Sequence, residues 1–358
     1  MENNPFISVI LPIRNEEKFI EPTLSALSHQ SYPNNMMEII ISDGMSNDKT
    51  REKIENFKQS HTDLDITLLD NPEKIVPFGL NRAIKMAKGE VIVRMDSHSI
   101  YPDNYIETLV NALYEHNADN TGGIVDTIPY KNTVKCAAIA SALSHPVGVG
   151  NSYFRIGSDK IREVDTVPFG CFRREVFDKA GLFDEELIRN QDDEFNGRMI
   201  NKGMKILLIP SVVVKYFARD SFSKLYKMYY QYGLFKPLAV KKLGKIPTVR
   251  QLIPLLFVLF LFGGAILSLL FFSLSLIDCF GLFFPFLALY GAGIFLYLAL
   301  LSLISFRESV KKKMLLMTFP LIHSFFILHF SYGSGYLLGL LALIFGKKSV
   351  FANKTISR

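Results

Sequence analysis

The sequence predicts an α/β domain, with a mostly parallel twisted sheet flanked by helices, followed by an α-helical transmembrane region. Before about residue 220, short β-branched runs alternate with helical patterns, which is typical of βαβ units. From about Gln251 onward the chain is nearly all Leu, Phe, Ile, Ala and Gly. The 358-residue chain therefore divides into a catalytic-size domain, an amphipathic linker, an apolar region and a basic tail, at residues 1–220, 221–250, 251–346 and 347–358.

Four short apolar runs predict the strands of the first half, at residues 6–12, 38–42, 66–69 and 90–95. Helical patterns lie between them, near residues 20–27, 47–57 and 77–88. Polar residues follow three of the strands, at residues 14–16, 43 and 96–98. Because ligands of open α/β sheets bind at the carboxyl ends of the strands, we expect these polar residues to line one crevice.

The second half of the domain has a weaker pattern. A helix is predicted near residues 104–115, a strand near 122–126 and then a loop-rich stretch to Val167. A Gly-rich turn with a helix follows at 169–181, and residues 205–209 predict a further strand.

Residues 221–240 are amphipathic and rich in Tyr and Lys. This composition favours a helix lying at a bilayer interface over a helix packed in a core, since an apolar run follows at once.

Three apolar stretches then follow, at residues 252–277, 280–306 and 315–345. The first two exceed the ~20 residues that span a bilayer and predict a hairpin with a polar break at Asp278. The third contains His323, His329 and a Gly-rich break at residues 332–335. It is either a third span or a bent, re-entrant segment that returns the basic tail to the cytoplasm. Both histidines are candidates for lipid-phosphate or acceptor contacts, with hydrogen bonding to a neighbouring helix as the alternative.

The formal net charge of +6 is concentrated beside the apolar stretches, at residues 241–250 and 307–313. Such clusters are typical of cytoplasmic flanks that attract anionic lipid headgroups. The domain itself carries plentiful Asp and Glu, which argues against a nucleic-acid partner. The three cysteines have no metal-ligand spacing.

Three polar motifs carry candidate chemistry. Asp43 can accept a hydrogen bond from a nucleobase or ribose, although Gly44 and the following polar residues also suit a plain turn and helix cap. Asp96 and His98 together suit a divalent ion such as Mn²⁺, or they lie in a solvated loop. The carboxylates at 192–194 begin a helical pattern; one is a candidate general base, or all three simply favour the helix start.

In order, these motifs resemble glycosyltransferase family 2, whose members have the GT-A fold. The resemblance covers about residues 6–220, and the whole chain looks most similar to the bacterial succinoglycan-type polysaccharide glycosyltransferases. It rests on PIRNE at 12–16, SDGMSNDKT at 42–50, GEVIVRMDSH at 89–98, PFGCFRREVF at 168–177, GLFDE at 181–185 and QDDEFNGR at 191–198.

The resemblance implies a donor site for a nucleotide-diphosphate sugar, usually a UDP-sugar, made of Pro12, Arg14, Glu16, Asp43 and Asp96. It implies that a divalent metal, Mn²⁺ or Mg²⁺, binds at the position where the family motif begins, at Asp96 and His98. It also implies that Asp192 is the general base of an inverting displacement. Candidate residues on the acceptor side are Gly170, Asp193 and Glu194.

Three departures from the family pattern refine these expectations. His98 stands where the family motif has a second Asp, and Gln191 replaces the Glu that usually precedes the base. The segment at 231–235 (QYGLF) lacks the Arg and Trp of processive synthases, so we expect transfer of a single sugar.

The expected function is a multi-pass enzyme of the plasma (inner) membrane whose cytoplasmic domain adds one sugar to a polyprenyl-linked saccharide during cell-surface polysaccharide synthesis. A polyprenyl-phosphate glycosyltransferase is the alternative enzyme. A non-catalytic membrane scaffold that binds nucleotide sugars is the alternative from another class.

Overall fold

The computed structural model describes residues 4–245, 248–275 and 280–351. Its first half alternates strands and helices as the sequence predicts. The elements are β1 (Ile7–Ile13), α1 (Ile20–Ser28), β2 (Met37–Asp43), α2 (Thr50–Ser60), β3 (Asp65–Asp70), α3 (Val76–Met86) and β4 (Val91–Arg94). These strands pair in parallel in the order β3-β2-β1-β4. Their carboxyl ends therefore meet at one edge, as expected of βαβ units.

The second half extends the same sheet with antiparallel strands. Its elements are β5 (Ser99–Ile100), α4 (Tyr105–Glu115), β6 (Asn120–Ile128), α5 (Val134–Leu143), α6 (Pro146–Val149), α7 (Tyr153–Ile156), β7 (Arg162–Glu163), β8 (Cys171–Arg173), α8 (Glu175–Ala180), α9 (Gln191–Asn201) and β9 (Ile206–Phe217). Strand β8 lies antiparallel between β4 and β6, whereas β6 and β9 are parallel. The predicted α/β fold is confirmed, with a mixed sheet in this half.

Helix α5 lies in the stretch that the sequence predicts as loop-rich up to Val167. Apart from Lys135, its residues are small or apolar, and seven of its ten residues are buried. Because the helix has no polar face, its sequence does not show the alternation of apolar and polar residues with a 3.6-residue period that marks an amphipathic helix. The stretch also contains the two-residue strand β7, and the predicted Gly-rich turn contains the three-residue strand β8.

The core has two layers, one on each face of the sheet. Successive side chains of β1 point to opposite faces: Ile7, Val9 and Leu11 pack with helices α1 and α4, whereas Ile10 packs with α3 and α9. All four are fully buried, so β1 is a central strand covered on both sides.

Helix α10 (Phe222–Leu243) joins the domain to the apolar region. All five residues at 233–237 are buried, although a single helix face would bury only part of such a run. This half of the helix is therefore packed against protein, which favours the core-packed alternative there over the interfacial interpretation. Its first turns still expose Lys224, Tyr226 and Lys227.

Three helices in the described part of the chain are long and apolar enough to cross a membrane. They are α11 (Ile253–Ser275), α12 (Phe280–Lys311) and α13 (Thr318–Ile344). Most of α11 and α12 is not buried by protein, and large apolar side chains cover their surfaces. The predicted break at Asp278, together with Cys279 and the end of the basic tail at 352–358, lies outside the described residues.

Helix α13 is continuous through the predicted Gly-rich break. A Cβ on Gly333 would lie 2.0 Å from the carbonyl oxygen of Pro254 in α11, and one on Gly335 would lie 2.2 Å from that of Tyr230 in α10. These glycines let three helix backbones approach closely. The expectation of a break is therefore wrong: the glycines form a helix–helix contact, and the re-entrant alternative loses its basis.

Candidate active site

One cavity runs from the carboxyl edge of the sheet to the apolar helices. Its volume is about 460 Å³, within the usual range of small-molecule sites. The predicted residues that line it are Pro12, Arg14, Asp96, His98, Asp192 and Asp193. At the other end it is lined by residues of α10, α11 and α13, among them Lys236, Pro254, His329 and Tyr332. The cavity thus joins the predicted crevice to the apolar region.

A buried arginine lies at the centre of the acidic groups. Arg94 is the last residue of β4, and its guanidinium forms an ion pair with Asp192. The same guanidinium reaches Asp96, with Nη2 3.5 Å from Oδ1. Its side chain is only 7% exposed. Despite burial, which disfavours the charged form, the two carboxylates hold the pKa of Arg94 above its ordinary value, so the group is a fixed positive charge.

Asp192 is held at the start of α9, where the helix dipole favours a negative charge. The residue before the helix, Asn190, adopts a left-handed conformation (φ 62°), and its side-chain amide donates to the carbonyl of Tyr232. About a third of the Asp192 side chain faces the cavity. Burial raises the pKa of the Asp192 carboxyl, and nearby Asp96 and Asp193 add to this effect while Arg94 opposes it. A raised pKa suits a general base.

Asp96 and His98 both line the cavity just beyond β4. The backbone N–H of Asp96 donates to the hydroxyl of Tyr101 at 2.7 Å, and that hydroxyl donates to the Asp96 carbonyl. The Nδ1 atom of His98 lies 3.4 Å from Oε1 of Glu16, a buried carboxylate. Glu16 therefore orients His98 and does not itself line the cavity.

A carboxylate and an imidazole at the cavity wall fit a divalent ion such as Mn²⁺ or Mg²⁺. Among the described residues, no group of three or more His, Cys, Asp and Glu side chains is placed to hold an ion. An ion held by Asp96 and His98 would therefore need oxygens of a bound ligand to complete its shell.

Asp43 lies behind the cavity wall rather than in it. Its carboxylate is fully buried and accepts hydrogen bonds from the backbone N–H of Ser46 and from Arg51, the latter at 2.8 Å. The loops that follow β1 and β2 are joined by further bonds, including one from the Glu16 N–H to Thr50 Oγ1 at 2.7 Å. Asp43 thus fixes the turn that brings Gly44 to the cavity.

The three candidate acceptor-side residues have different surroundings. Asp193 lines the cavity and pairs with Lys236 of α10, which is almost fully buried. Glu194 does not line it: its buried carboxylate pairs with Arg198 at 2.8 Å, as in a helix-stabilising i,i+4 pair. Gly170 also lies outside the lining, and a Cβ there would be 2.4 Å from Oδ1 of Asn120. For Glu194 and Gly170 the structure thus favours a packing role over acceptor contact.

The two histidines of α13 differ in the same way. His329 lines the cavity, where Nε2 is 2.7 Å from the carbonyl of Val147 and Nδ1 is 2.9 Å from the hydroxyl of Tyr297 in α12. His323 packs edge-on against Phe222 and is not part of the lining. Hydrogen bonding to a neighbouring helix is therefore confirmed for His329, the only one of the pair at the cavity.

Sequence reasoning missed Arg94 and Lys236 as site residues. A signal was present for Arg94, since it is a charge inside an otherwise apolar strand, and such a charge needs a buried partner. No comparable signal marked Lys236, one of many Lys residues in an amphipathic segment.

Comparisons with known proteins identify the family of this chain. The family model for glycosyl transferase family 2 matches residues 8–181. A dolichyl N-acetyl-α-D-glucosaminyl phosphate 3-β-D-2,3-diacetamido-2,3-dideoxy-β-D-glucuronosyltransferase of Methanococcus voltae is 31% identical over 244 residues, which cover 66% of this chain and 74% of that protein. The succinoglycan biosynthesis protein ExoA of Rhizobium meliloti is 28% identical over 258 residues, covering 72% and 76%.

Among solved structures, a mannosyltransferase of Pyrobaculum calidifontis, in complex with GDP-mannose and Mn²⁺, matches with a TM-score of 0.55 at 19% identity. The match covers 90% of this chain and 86% of that one, and it supports the GT-A fold. The resemblance that the sequence motifs indicate is thereby confirmed. This chain belongs to glycosyltransferase family 2 and is a glycosyltransferase.

Proposed function

We propose that this enzyme transfers one sugar, with inversion, from a nucleotide-diphosphate sugar to a lipid-linked saccharide at a membrane surface. The observation that carries the proposal is the single cavity shared by Asp192 and the apolar helices. A lipid-linked acceptor held by those helices would present its sugar hydroxyl in the same space as the base. The names of both relatives, one for a dolichyl-linked substrate and one for a polysaccharide, support this class of reaction.

The donor, which we propose is a UDP-sugar, binds at the sheet end of the cavity. Pro12, Arg14, Gly44 and Asp96 line that end, with Glu16 and Asp43 fixing the loops behind them. A divalent ion, Mn²⁺ or Mg²⁺, would be held by Asp96 and His98 and would neutralise charge on the departing diphosphate. The Mn²⁺ in the Pyrobaculum mannosyltransferase supports this choice of cofactor.

Asp192 acts as the general base. It removes the proton from the acceptor hydroxyl while the hydroxyl oxygen attacks the anomeric carbon of the donor, and the bond from that carbon to the diphosphate oxygen breaks. Attack from the face opposite the leaving group inverts the anomeric centre. Arg94 pairs with one carboxylate oxygen of Asp192, Oδ1. The other carboxylate oxygen is left to accept the proton of the acceptor hydroxyl.

We propose that the enzyme is a multi-pass protein of the plasma membrane with a cytoplasmic domain, a topology that the three long apolar helices support. Basic residues at 241–250 and 307–313 lie beside the ends of the apolar helices, as the positive-inside bias predicts for cytoplasmic flanks. The segment at 231–235 lacks the Arg and Trp of the processive motif, which supports transfer of a single sugar.

A second candidate, transfer directly onto polyprenyl phosphate, is favoured by one contact. Lys236 pairs with Asp193, the neighbour of the base, so a phosphate bound by Lys236 would itself lie close to Asp192.

The test is sugar transfer by detergent-purified protein, using a panel of UDP- and GDP-sugars with Mn²⁺, Mg²⁺ or EDTA. Each donor is offered with polyprenyl phosphate or with a polyprenyl-diphosphate saccharide, and Asp192→Asn is the matched control. Metal-dependent transfer to the saccharide only, lost in Asp192→Asn, supports the proposal. Transfer to bare polyprenyl phosphate would establish the second candidate, and transfer that survives Asp192→Asn would refute the assignment of the base.

A further inference from the structure

We propose that the apolar groove between the three apolar helices holds the hydrocarbon tail of the lipid acceptor, with the acceptor's phosphate at the basic end of the catalytic cavity. This inference rests on the proposed function, because it names where the lipid-linked acceptor binds. The basic end is defined here by Arg155, Arg189, Arg219, Lys236 and Arg250, all of which line the cavity.

The groove has a volume of about 480 Å³ and lies between α11, α12 and α13. Its walls are apolar, four of the ten lining residues are aromatic, and the walls include Phe257, Phe260, Leu298 and Phe326. Gly293 of α12 leaves no side chain on its wall, since a Cβ there would lie 2.8 Å from the ring of Phe260. An elongated apolar ligand is therefore the kind of molecule that fits this space.

The groove and the catalytic cavity adjoin one another. Ile253, the first residue of α11, lines both. The hydrogen bond of 2.9 Å between Tyr297 and His329 links the two walls, because Tyr297 lines the groove and His329 lines the cavity. A ligand with an apolar tail and a polar head can thus occupy both without leaving the protein surface.

The charge of the cavity exceeds what the donor needs. Among the described residues, eight Lys and Arg and three Asp line it. Asp165, just outside the lining, pairs with one of the arginines, which leaves a surplus of four positive charges. A divalent ion bound with the donor would neutralise its diphosphate, so this surplus suits a second anionic group.

The surplus is concentrated near α10. Burial raises the pKa of the Tyr232 hydroxyl, and Tyr216 adds to this effect, but the guanidiniums of Arg189, Arg155 and Arg219 all oppose it. All three arginines line the cavity, as does Tyr232 itself. Arg250, which pairs with Asp165 at 2.6 Å, lies three residues before Ile253, where the groove begins. An acceptor phosphate here would leave its tail at the mouth of the groove.

The test fills the groove without touching the catalytic residues. Leu298→Trp places a large ring on the groove wall, and Leu296→Trp is the matched control, because Leu296 is on the same helix, is 69% exposed and is not part of the lining. Both variants are assayed with acceptors that share one diphosphate saccharide head and carry either an undecaprenyl or a geranyl tail.

Leu298→Trp should raise KM for the undecaprenyl acceptor by about tenfold, the loss expected when roughly two buried CH₂ groups lose their contacts. KM for the geranyl acceptor and for the donor should stay unchanged, as should every constant of Leu296→Trp. Equal effects of the two variants, or equal effects on the two tails, would overturn the proposal. A third outcome would also overturn the proposal. If added phospholipid inhibits transfer to both acceptors and Leu298→Trp abolishes this inhibition for both, the groove binds a structural lipid.

The head site is tested by Arg219→Gln, with Arg307→Gln as the control, since Arg307 is exposed near the end of α12 and outside the cavity. Arg219→Gln should raise KM for both acceptors by about tenfold, as loss of one charge-assisted contact predicts, with no change in donor KM. An unchanged acceptor KM would overturn the head assignment. Failure of the unsubstituted enzyme to transfer to any lipid acceptor would instead refute the proposed function.

Discussion

Replacing Arg94 by Gln should move the acid limb of the pH–rate profile to higher pH. The guanidinium is the only positive group in direct contact with both Asp96 and Asp192 in the described part of the site. Its loss leaves two neighbouring carboxylates whose mutual repulsion favours protonation. Since Asp192 has to be deprotonated to act as a base, raising its pKa removes activity from the acid side.

The distances give the size of this effect. Arg94 Nη2 lies 3.5 Å from Asp96 Oδ1, and the guanidinium lies closer still to Asp192. For opposite unit charges 3.5 Å apart, Coulomb's law with an effective dielectric constant of about 20 gives about 5 kcal/mol. The interaction is weaker in practice because a third of the Asp192 side chain is exposed, and arginine–carboxylate pairs shift a carboxyl pKa by about 1–3 units. We therefore expect the acid limb of kcat/KM to move up by about 1–3 pH units.

The assay is sugar transfer measured across the pH range with saturating metal, for Arg94→Gln and Arg94→Lys. The lysine variant keeps the charge, so its acid limb should lie closer to that of the unsubstituted enzyme than the acid limb of Arg94→Gln does. A purely structural role for Arg94 would not predict this difference. Arg82→Gln is the control, because Arg82 is exposed and pairs with Glu73 at 2.9 Å on the surface. An Arg94→Gln enzyme with lower kcat but an unmoved acid limb would refute the reasoning.

Two further predictions concern the metal position and the helix contacts. His98→Asp should shift the metal preference from Mn²⁺ towards Mg²⁺, because a carboxylate is a harder ligand than an imidazole; unchanged activity ratios with the two ions would show that His98 is not a ligand. Gly335→Ala should lower the thermal unfolding temperature in detergent, since its Cβ would lie 2.2 Å from a carbonyl oxygen and overpacking costs about 1–3 kcal/mol. Gly291→Ala, whose Cβ meets nothing within 4 Å, should leave that temperature unchanged or raise it slightly; equal shifts would contradict the close packing.

The regular half of the domain was predictable because each of its strands is a β-branched run followed by a helical period. The later half was not, for reasons visible in single elements. Strand β8 has only three residues, and its pairing with β4 and β6 joins positions about 80 and 50 residues apart in the chain. A strand this short is not long enough to show the alternation of apolar and polar residues from which a strand is predicted. It is recognised only by its pairing with the neighbouring strands.

The candidate site follows the same division. Asp96 and His98 line one cavity, as their position at a strand end predicts, and Asp192, which the family resemblance indicates, lines it too. The sequence marks Arg94 only as a charge inside an apolar strand, and its contacts with Asp96 and Asp192 are seen only when that strand is placed against α9. For Glu194 the sequence was misleading, because adjacent carboxylates look equivalent in a sequence. In the helix, Asp193 faces the cavity and pairs with Lys236, whereas Glu194 pairs with Arg198.

The packing of α10 has a consequence for the length of glycan that the enzyme can extend. Helix α10 contacts α9 through the Lys236–Asp193 pair and contacts α13 backbone to backbone at Gly335. With the apolar helices in a bilayer, this arrangement holds Asp192 at a constant height above the lipid surface. On the proposed function, a lipid-linked acceptor would have to present its sugar hydroxyl at that height, so this packing would favour acceptors of one glycan length.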